Sequence, residues 1–141
     1  MKASGELKLG PNQEKWLSAL ESGEYKQTKS ALARESKNGK RSFCCLGVAC
    51  DVSQKSEWEE SSFKANGKYK GPFLITYINE TESLPASVMR WLSMKDDEGR
   101  FSDGPGSGSS CLTEMNDKGA SFKKIAKFIR ANPTLFFSRS K

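Results

Sequence analysis

The strongest constraint on this chain is its most apolar run, Ser42-Phe43-Cys44-Cys45-Leu46-Gly47-Val48-Ala49-Cys50-Asp51-Val52. Cys45, Val48, Ala49 and Val52 recur at helical spacing within it, which predicts a short helix buried on most sides. The pair Asn38-Gly39 just upstream is of the kind that makes a tight hairpin turn. The reading is therefore a strand that leaves this turn, passes through Phe43 and becomes a helix in the core. A chain of 141 residues has room for one such core. With 35% hydrophobic and 28% charged residues it is polar for a globular protein, yet far from a disordered composition.

The other segments are expected to pack around this seam. Residues 1–10 read as a flexible lead. Pro11 to Gly23 reads as a helix, with proline at its start, Trp16, Leu17 and Leu20 on one face, and Gly23 to end it. Residues 24–34 are expected to approach in extended form and become the first hairpin strand, paired across Asn38-Gly39 with residues 41–44. Asn66-Gly67 suggests a second turn between Phe63 and Tyr69. Phe73 to Ile78 favours a strand, with helix as the alternative. A helix follows, capped by Ser83, with Pro85 in its first turn and Val88, Trp91 and Leu92 on one face. Residues 95–110, rich in Asp, Gly and Ser, read as a mobile surface loop. Cys111 to Gly119 reads as a short helical turn. Ser121 then caps a helix with an apolar stripe of Phe122, Ile125, Ala126 and Ile129, and with Lys123, Lys124, Lys127 and Arg130 opposite. Asn132-Pro133 ends that helix, and residues 138–141 form a basic tail. The expected architecture is a single small α+β domain over residues 11–137, mainly helical with one or two short antiparallel hairpins.

Three cysteines within seven residues raise the question of metal or redox chemistry. Structural zinc sites use cysteine pairs two to four residues apart, wrapped around the ion by a loop. Adjacent Cys44 and Cys45 would instead point opposite ways on a strand, and Cys45 to Cys50 lies in an apolar run of helical spacing. The cysteines are read as core-filling thiols, with no metal and no cofactor expected. Asp96, Asp97, Glu98 and Asp103 lack the calcium-loop spacing, and Gly119-Ala120-Ser121 lacks the P-loop ending. Asp51, at the end of the run, is expected to pair with Arg41 or Lys29, a general base being the alternative.

The chain carries 23 Lys and Arg against 17 Asp and Glu and contains no histidine. The net charge of +6 favours anionic partners. Lacking histidine, the chain cannot use Ser-His or Cys-His nucleophile pairs. No apolar run approaches the ~18 residues of a membrane span. A soluble intracellular protein with reduced thiols is the expectation.

Four motifs occur in order: Trp16-Leu17-x-Ala19-Leu20-x-Ser22-Gly23-x-Tyr25-x-Gln27; Phe43-Cys44-Cys45-Leu46-Gly47-Val48-x-Cys50-Asp51; Leu84-Pro85 with Trp91-Leu92; and Met115-Asn116-Asp117-x-Gly119-x-Ser121-Phe122-x-x-Ile125-Ala126. Together they resemble a family of small uncharacterised proteins encoded by bacteriophages. Ser93 departs from that pattern, where Gly would be expected, and so does the long 95–110 stretch. The resemblance implies a protein acting in the host bacterial cytoplasm. By analogy with phage sponge proteins, it also implies capture of a nucleotide-derived immune signal without cleavage, hence no enzyme and possible assembly as a homo-oligomer. In that reading Lys26, Lys29 and Arg41 neutralise phosphates, while Gln27 and Asn116 bind a base or ribose. Ser121 and its helix start take a second phosphate, and Tyr25 or Phe122 stacks. Two alternatives are a nucleic-acid-binding protein and an inhibitor docking on a host defence protein. The inhibitor would show an exposed apolar patch around Leu135, Phe136 and Phe137.

Overall fold

The structure, a computed structural model, describes residues 8–29, 31–36, 39–54, 57–59, 73–78, 80, 83–102 and 109–138. Helix α1 spans Pro11–Glu21. Proline fits its first turn because that position has no use for a backbone N–H. Gln13 reaches back, its Oε1 accepting the Gly10 N–H at 2.8 Å. Gly23 turns the chain away with φ of +79°. Trp16, Leu17 and Leu20 are buried as expected, and the Trp16 indole donates to the Cys45 carbonyl at 2.9 Å. That bond ties α1 to the next helix.

Helix α2, Cys45–Ser53, is the apolar run, and every residue from Cys45 to Asp51 is buried. Cys44 caps it, its sulfur accepting the Gly47 N–H at 3.4 Å. Gly47 lies so close to the preceding chain that a Cβ there would sit 1.8 Å from the Leu32 carbonyl oxygen. The same oxygen accepts the Cys44 N–H at 3.0 Å. Only glycine lets the helix approach the strand segment this closely.

The first hairpin forms as expected. Strand β1, Ala33–Glu35, pairs antiparallel with β2, Arg41–Phe43, in the register Ala33 to Phe43 and Glu35 to Arg41. Gly39 has φ of +84° at its turn, while Asn38 lies outside the described residues. The strand is shorter than the sequence suggested. Residues 25–29 instead run beside β2 with one parallel bridge, Phe43 donating to the Lys26 carbonyl and accepting from the Thr28 N–H, both at 2.8 Å. Strands β3, Trp58–Glu59, and β4, Phe73–Tyr77, complete an antiparallel sheet of order β2-β1-β4-β3. The turn expected at Asn66-Gly67 lies outside the described residues.

Helix α3, Ala86–Leu92, begins one residue after Pro85, which occupies the cap position. Ser83 does not cap it; its hydroxyl donates to Glu80 at 3.4 Å. The extended backbone of Pro85, ψ 159°, delays the helix start past the expected serine. Val88 and Leu92 are buried and Trp91 half-buried. The helix ends on Ser93 at φ 59° and ψ 37°, a left-handed conformation that favours glycine.

Residues 95–110, expected to be a loop, contain a second hairpin. Strand β5, Arg100–Ser102, pairs antiparallel with β6, Ser109–Cys111. An Asp96 carboxylate oxygen starts it by accepting the Glu98 and Arg100 N–H groups at 2.9 and 3.1 Å. The half-buried Phe101 ring anchors it, 5.1 Å from Phe128 and 5.3 Å from Phe136 between centroids. One aromatic side chain outweighs the polar composition around it. Residues 103–108 lie outside the described ones.

Helix α4, Leu112–Asp117, turns through Gly119 into α5, Phe122–Ala131, which Ser121 caps by accepting the Lys124 N–H at 3.1 Å. Phe122, Ile125, Ala126 and Ile129 are buried, each removing apolar surface worth roughly 1–3 kcal/mol from water. Arg130 leaves the expected basic face. It reaches Glu21 at 2.7 Å and Glu14 at 2.9 Å, joining α5 to α1. A last turn, α6, Pro133–Phe136, brings Phe137 edge-on to Trp16, with centroids 6.2 Å apart. Phe136 and Phe137 are each 1% exposed, so the apolar patch that would mark a docking inhibitor is not presented there. One cluster running from Trp16 to Phe137 forms the core of a single α+β domain. Among the described residues no helix is long and apolar enough to cross a membrane.

Candidate ligand-binding site

The residues singled out by the motifs meet, but they bind one another. Asn116 is fully buried and all its amide capacity is used. Its oxygen accepts the Cys45 N–H at 3.2 Å and the Gln27 side-chain amide at 2.8 Å. Its nitrogen donates to the Thr28 carbonyl at 2.7 Å and to Asp117 at 3.3 Å. Gln27 also donates to the Ala120 carbonyl at 2.8 Å. At the other end of α2 the Tyr25 hydroxyl donates to Asp51 at 2.6 Å, and Trp58 donates to the other Asp51 oxygen at 3.1 Å. Residues 25–29 are thus a strap clamped to both ends of α2, with Asn116 and Asp51 as its two anchors.

This placement reassigns most of the expected ligand set. Asn116 and Gln27 hold chain segments together instead of presenting amides to a base. Tyr25 packs edge-on against Phe43 at 5.2 Å, and its hydroxyl pKa is driven upward by burial and by the Asp51 carboxylate. Phe122 is a core residue, 7% exposed, with no face free to stack. Arg41 pairs with the buried Glu35 at 3.2 Å, so the partner of Asp51 is not Arg41 but two neutral donors. Ser121 is exposed but occupied as a cap. Lys26 and Lys29 are exposed.

The cysteine seam is chemically quiet. Burial pushes the Cys44 thiol up to about 11 and raises Cys45 and Cys50 as well. A thiol held protonated is a poor nucleophile and a poor metal ligand. Cys45 packs with its sulfur 3.6 Å from the Leu112 carbonyl. Among the described residues no cluster of Cys, Asp or Glu is arranged to hold a metal ion.

A concave site lies elsewhere, where the N-terminus of α1 meets the C-terminus of α3. Asn12 donates to the Trp91 carbonyl at 3.0 Å and Gln13 to the Leu92 carbonyl at 2.7 Å, so α1 side chains cap the end of α3. The Ser138 N–H donates to the Ser93 carbonyl at 2.7 Å and closes one wall. Between them is a cleft of about 220 Å³ lined by Lys8, Gly10, Pro11, Asn12, Gln13, Trp91, Ser93 and Ser138. It offers an exposed cation in Lys8 and a half-buried aromatic residue in Trp91. The first-turn N–H groups of α1 add partial positive charge. Sequence reading missed this site because Trp91 was assigned to a helix face and Lys8 to the lead. The one signal was Ser93, flagged as a departure from glycine, which forms part of the wall.

Fold and cleft together define a small α+β domain with a recessed site between α1 and α3. The chain belongs to the family described as "Domain of unknown function (DUF8296)", whose model matches residues 11–133. No curated protein and no solved structure matches it.

Proposed function

We propose that this protein is a phage-encoded anti-defence factor that captures a nucleotide-derived signal in the α1–α3 cleft and does not cleave it. The observation that carries this reading is the cleft itself, which places Lys8, the start of α1 and Trp91 around one recess of about 220 Å³. A phosphate suits the first two, and a base suits the aromatic wall. The volume falls below the ~300–1,000 Å³ of ordinary ligand pockets, so the site takes one nucleotide unit and leaves any remainder outside. In α2 and its cap, burial raises the thiol pKa values and Asp51 is held by neutral donors, so none of these four groups is an activated nucleophile. The resemblance of the four motifs to phage proteins supports the biological setting, the host cytoplasm.

Incubation of the purified protein with extract from phage-infected cells, followed by heat denaturation and mass spectrometry of the supernatant, tests the proposal. An intact nucleotide released from the wild-type protein, and lost from Lys8→Ala and Trp91→Ala, is the expected result. Release of a cleaved product, or of no nucleotide, overturns it.

A further inference from the structure

Five exposed lysines lie on two segments that touch, the strap of residues 25–29 and helix α5. Lys123, Lys124 and Lys127 are exposed on the helix, and Lys26 and Lys29 on the strap. The 2.8 Å bond from Gln27 to the Ala120 carbonyl holds the two segments side by side. Among the described residues none forms an ion pair with any of these five. Other cations do pair: Arg41 with Glu35, Lys118 with Glu114 at 3.4 Å, and Arg130 with Glu14 and Glu21. Some of the cations are therefore paired with carboxylates, and these five are left to solvent.

Among the described residues, Phe122 and Tyr25 are the rings nearest these lysines, and neither is free for a base to stack on. Phe122 is buried beneath α5, and Tyr25 is held against Phe43 and Asp51. Point cations without stacking partners suit a phosphate backbone and discriminate against single strands, whose proteins rely on aromatic platforms. Lys123 and Lys127 stand one helical turn apart, about 6 Å along the axis, and α5 is about 15 Å long. That length spans about four base pairs of duplex, enough for each lysine to meet a separate phosphate.

We infer that this lysine face binds duplex nucleic acid through its phosphates, without reading base sequence. The inference is independent of the cleft, which lies at the other end of α1.

Fluorescence anisotropy with a labelled 20-base-pair duplex of mixed sequence, titrated at several salt concentrations from 50 to 200 mM, tests it. Five phosphate contacts give a slope of log affinity against log salt of about −4.5. The Lys123→Ala/Lys127→Ala variant should weaken binding and make the slope shallower by about 1.8, while Lys118→Ala leaves both unchanged. A melting curve for each variant confirms the fold. The inference is overturned if the duplex fails to bind at 50 mM salt, or if the double variant keeps the full slope. It is equally overturned if the corresponding single strand or poly-glutamate binds more tightly than the duplex.

Discussion

Replacing Asn116 by alanine separates a scaffold role from a ligand role. The substitution deletes four hydrogen bonds and leaves their partners in place. The Cys45 N–H suffers most, because Cys45 is 0% exposed and water cannot replace the lost oxygen. Orphaning such a donor costs about 1–3 kcal/mol. The Thr28 carbonyl and the Gln27 amide are only half-buried, so each loses about 0.5–1 kcal/mol. The expected loss is about 2–5 kcal/mol, a large part of the roughly 5–15 kcal/mol that holds a typical domain folded. Urea unfolding followed by tryptophan fluorescence reads it directly, and Gln27→Ala in a double-mutant cycle should show coupling above about 0.5 kcal/mol. Asn116→Asp adds a sign. Its carboxylate would face the Thr28 carbonyl where the amide now donates at 2.7 Å, and burial would raise its folded-state pKa. Only the protonated acid can donate there. The variant should therefore be least impaired below the unfolded carboxylate pKa of about 3.9 and lose stability as pH rises through the raised value. An Asn116→Ala protein within about 0.5 kcal/mol of wild type would refute the clamp.

Three further outcomes are expected. Gly47→Ala puts a Cβ 1.8 Å from the Leu32 oxygen, so α2 must retreat by about 1.5 Å and break the Cys44–Leu32 bond; a loss of about 3 kcal/mol or more in urea unfolding is expected, and a change under about 1 kcal/mol would contradict the close approach. Ser93→Gly relieves the left-handed strain at the end of α3 and should raise stability by about 0.5–1 kcal/mol, seen as a higher urea midpoint; a lower midpoint would show that the serine side chain is needed. In native protein at pH 8, an aromatic disulfide reagent should modify Cys111 promptly and reach Cys44, Cys45 and Cys50 only after denaturant is added, whereas rapid reaction of two or more thiols would contradict their burial.

Elements with strong local periodicity were legible in the sequence. The stripe of α5, the proline start of α1 and the seam of α2 all appear where spacing placed them. The β5–β6 hairpin was hidden because its stability comes from Phe101 docking on residues far along the chain, a contact that composition cannot register. The polar motif residues Gln27 and Asn116 are engaged within the fold. A buried asparagine that closes a fold and one that grips a ligand need the same side chain, and only burial and partners tell them apart. Asp51 illustrates the same limit. Its expected cation was Arg41 or Lys29; Glu35, directly across the hairpin, takes Arg41, and among the described residues no ion pair joins Asp51 to Lys29.

The attachment of α1 to α5 bears on how the protein is made. Helix α1 finds Arg130 and Phe137 only after more than a hundred further residues have been added. At about 5–20 residues per second the part of its apolar face that α2 does not cover waits roughly 6–20 s before the closing partner emerges. A chain halted before residue 121 would never receive that partner, so premature stops late in the coding sequence should yield degraded protein instead of a shortened working one.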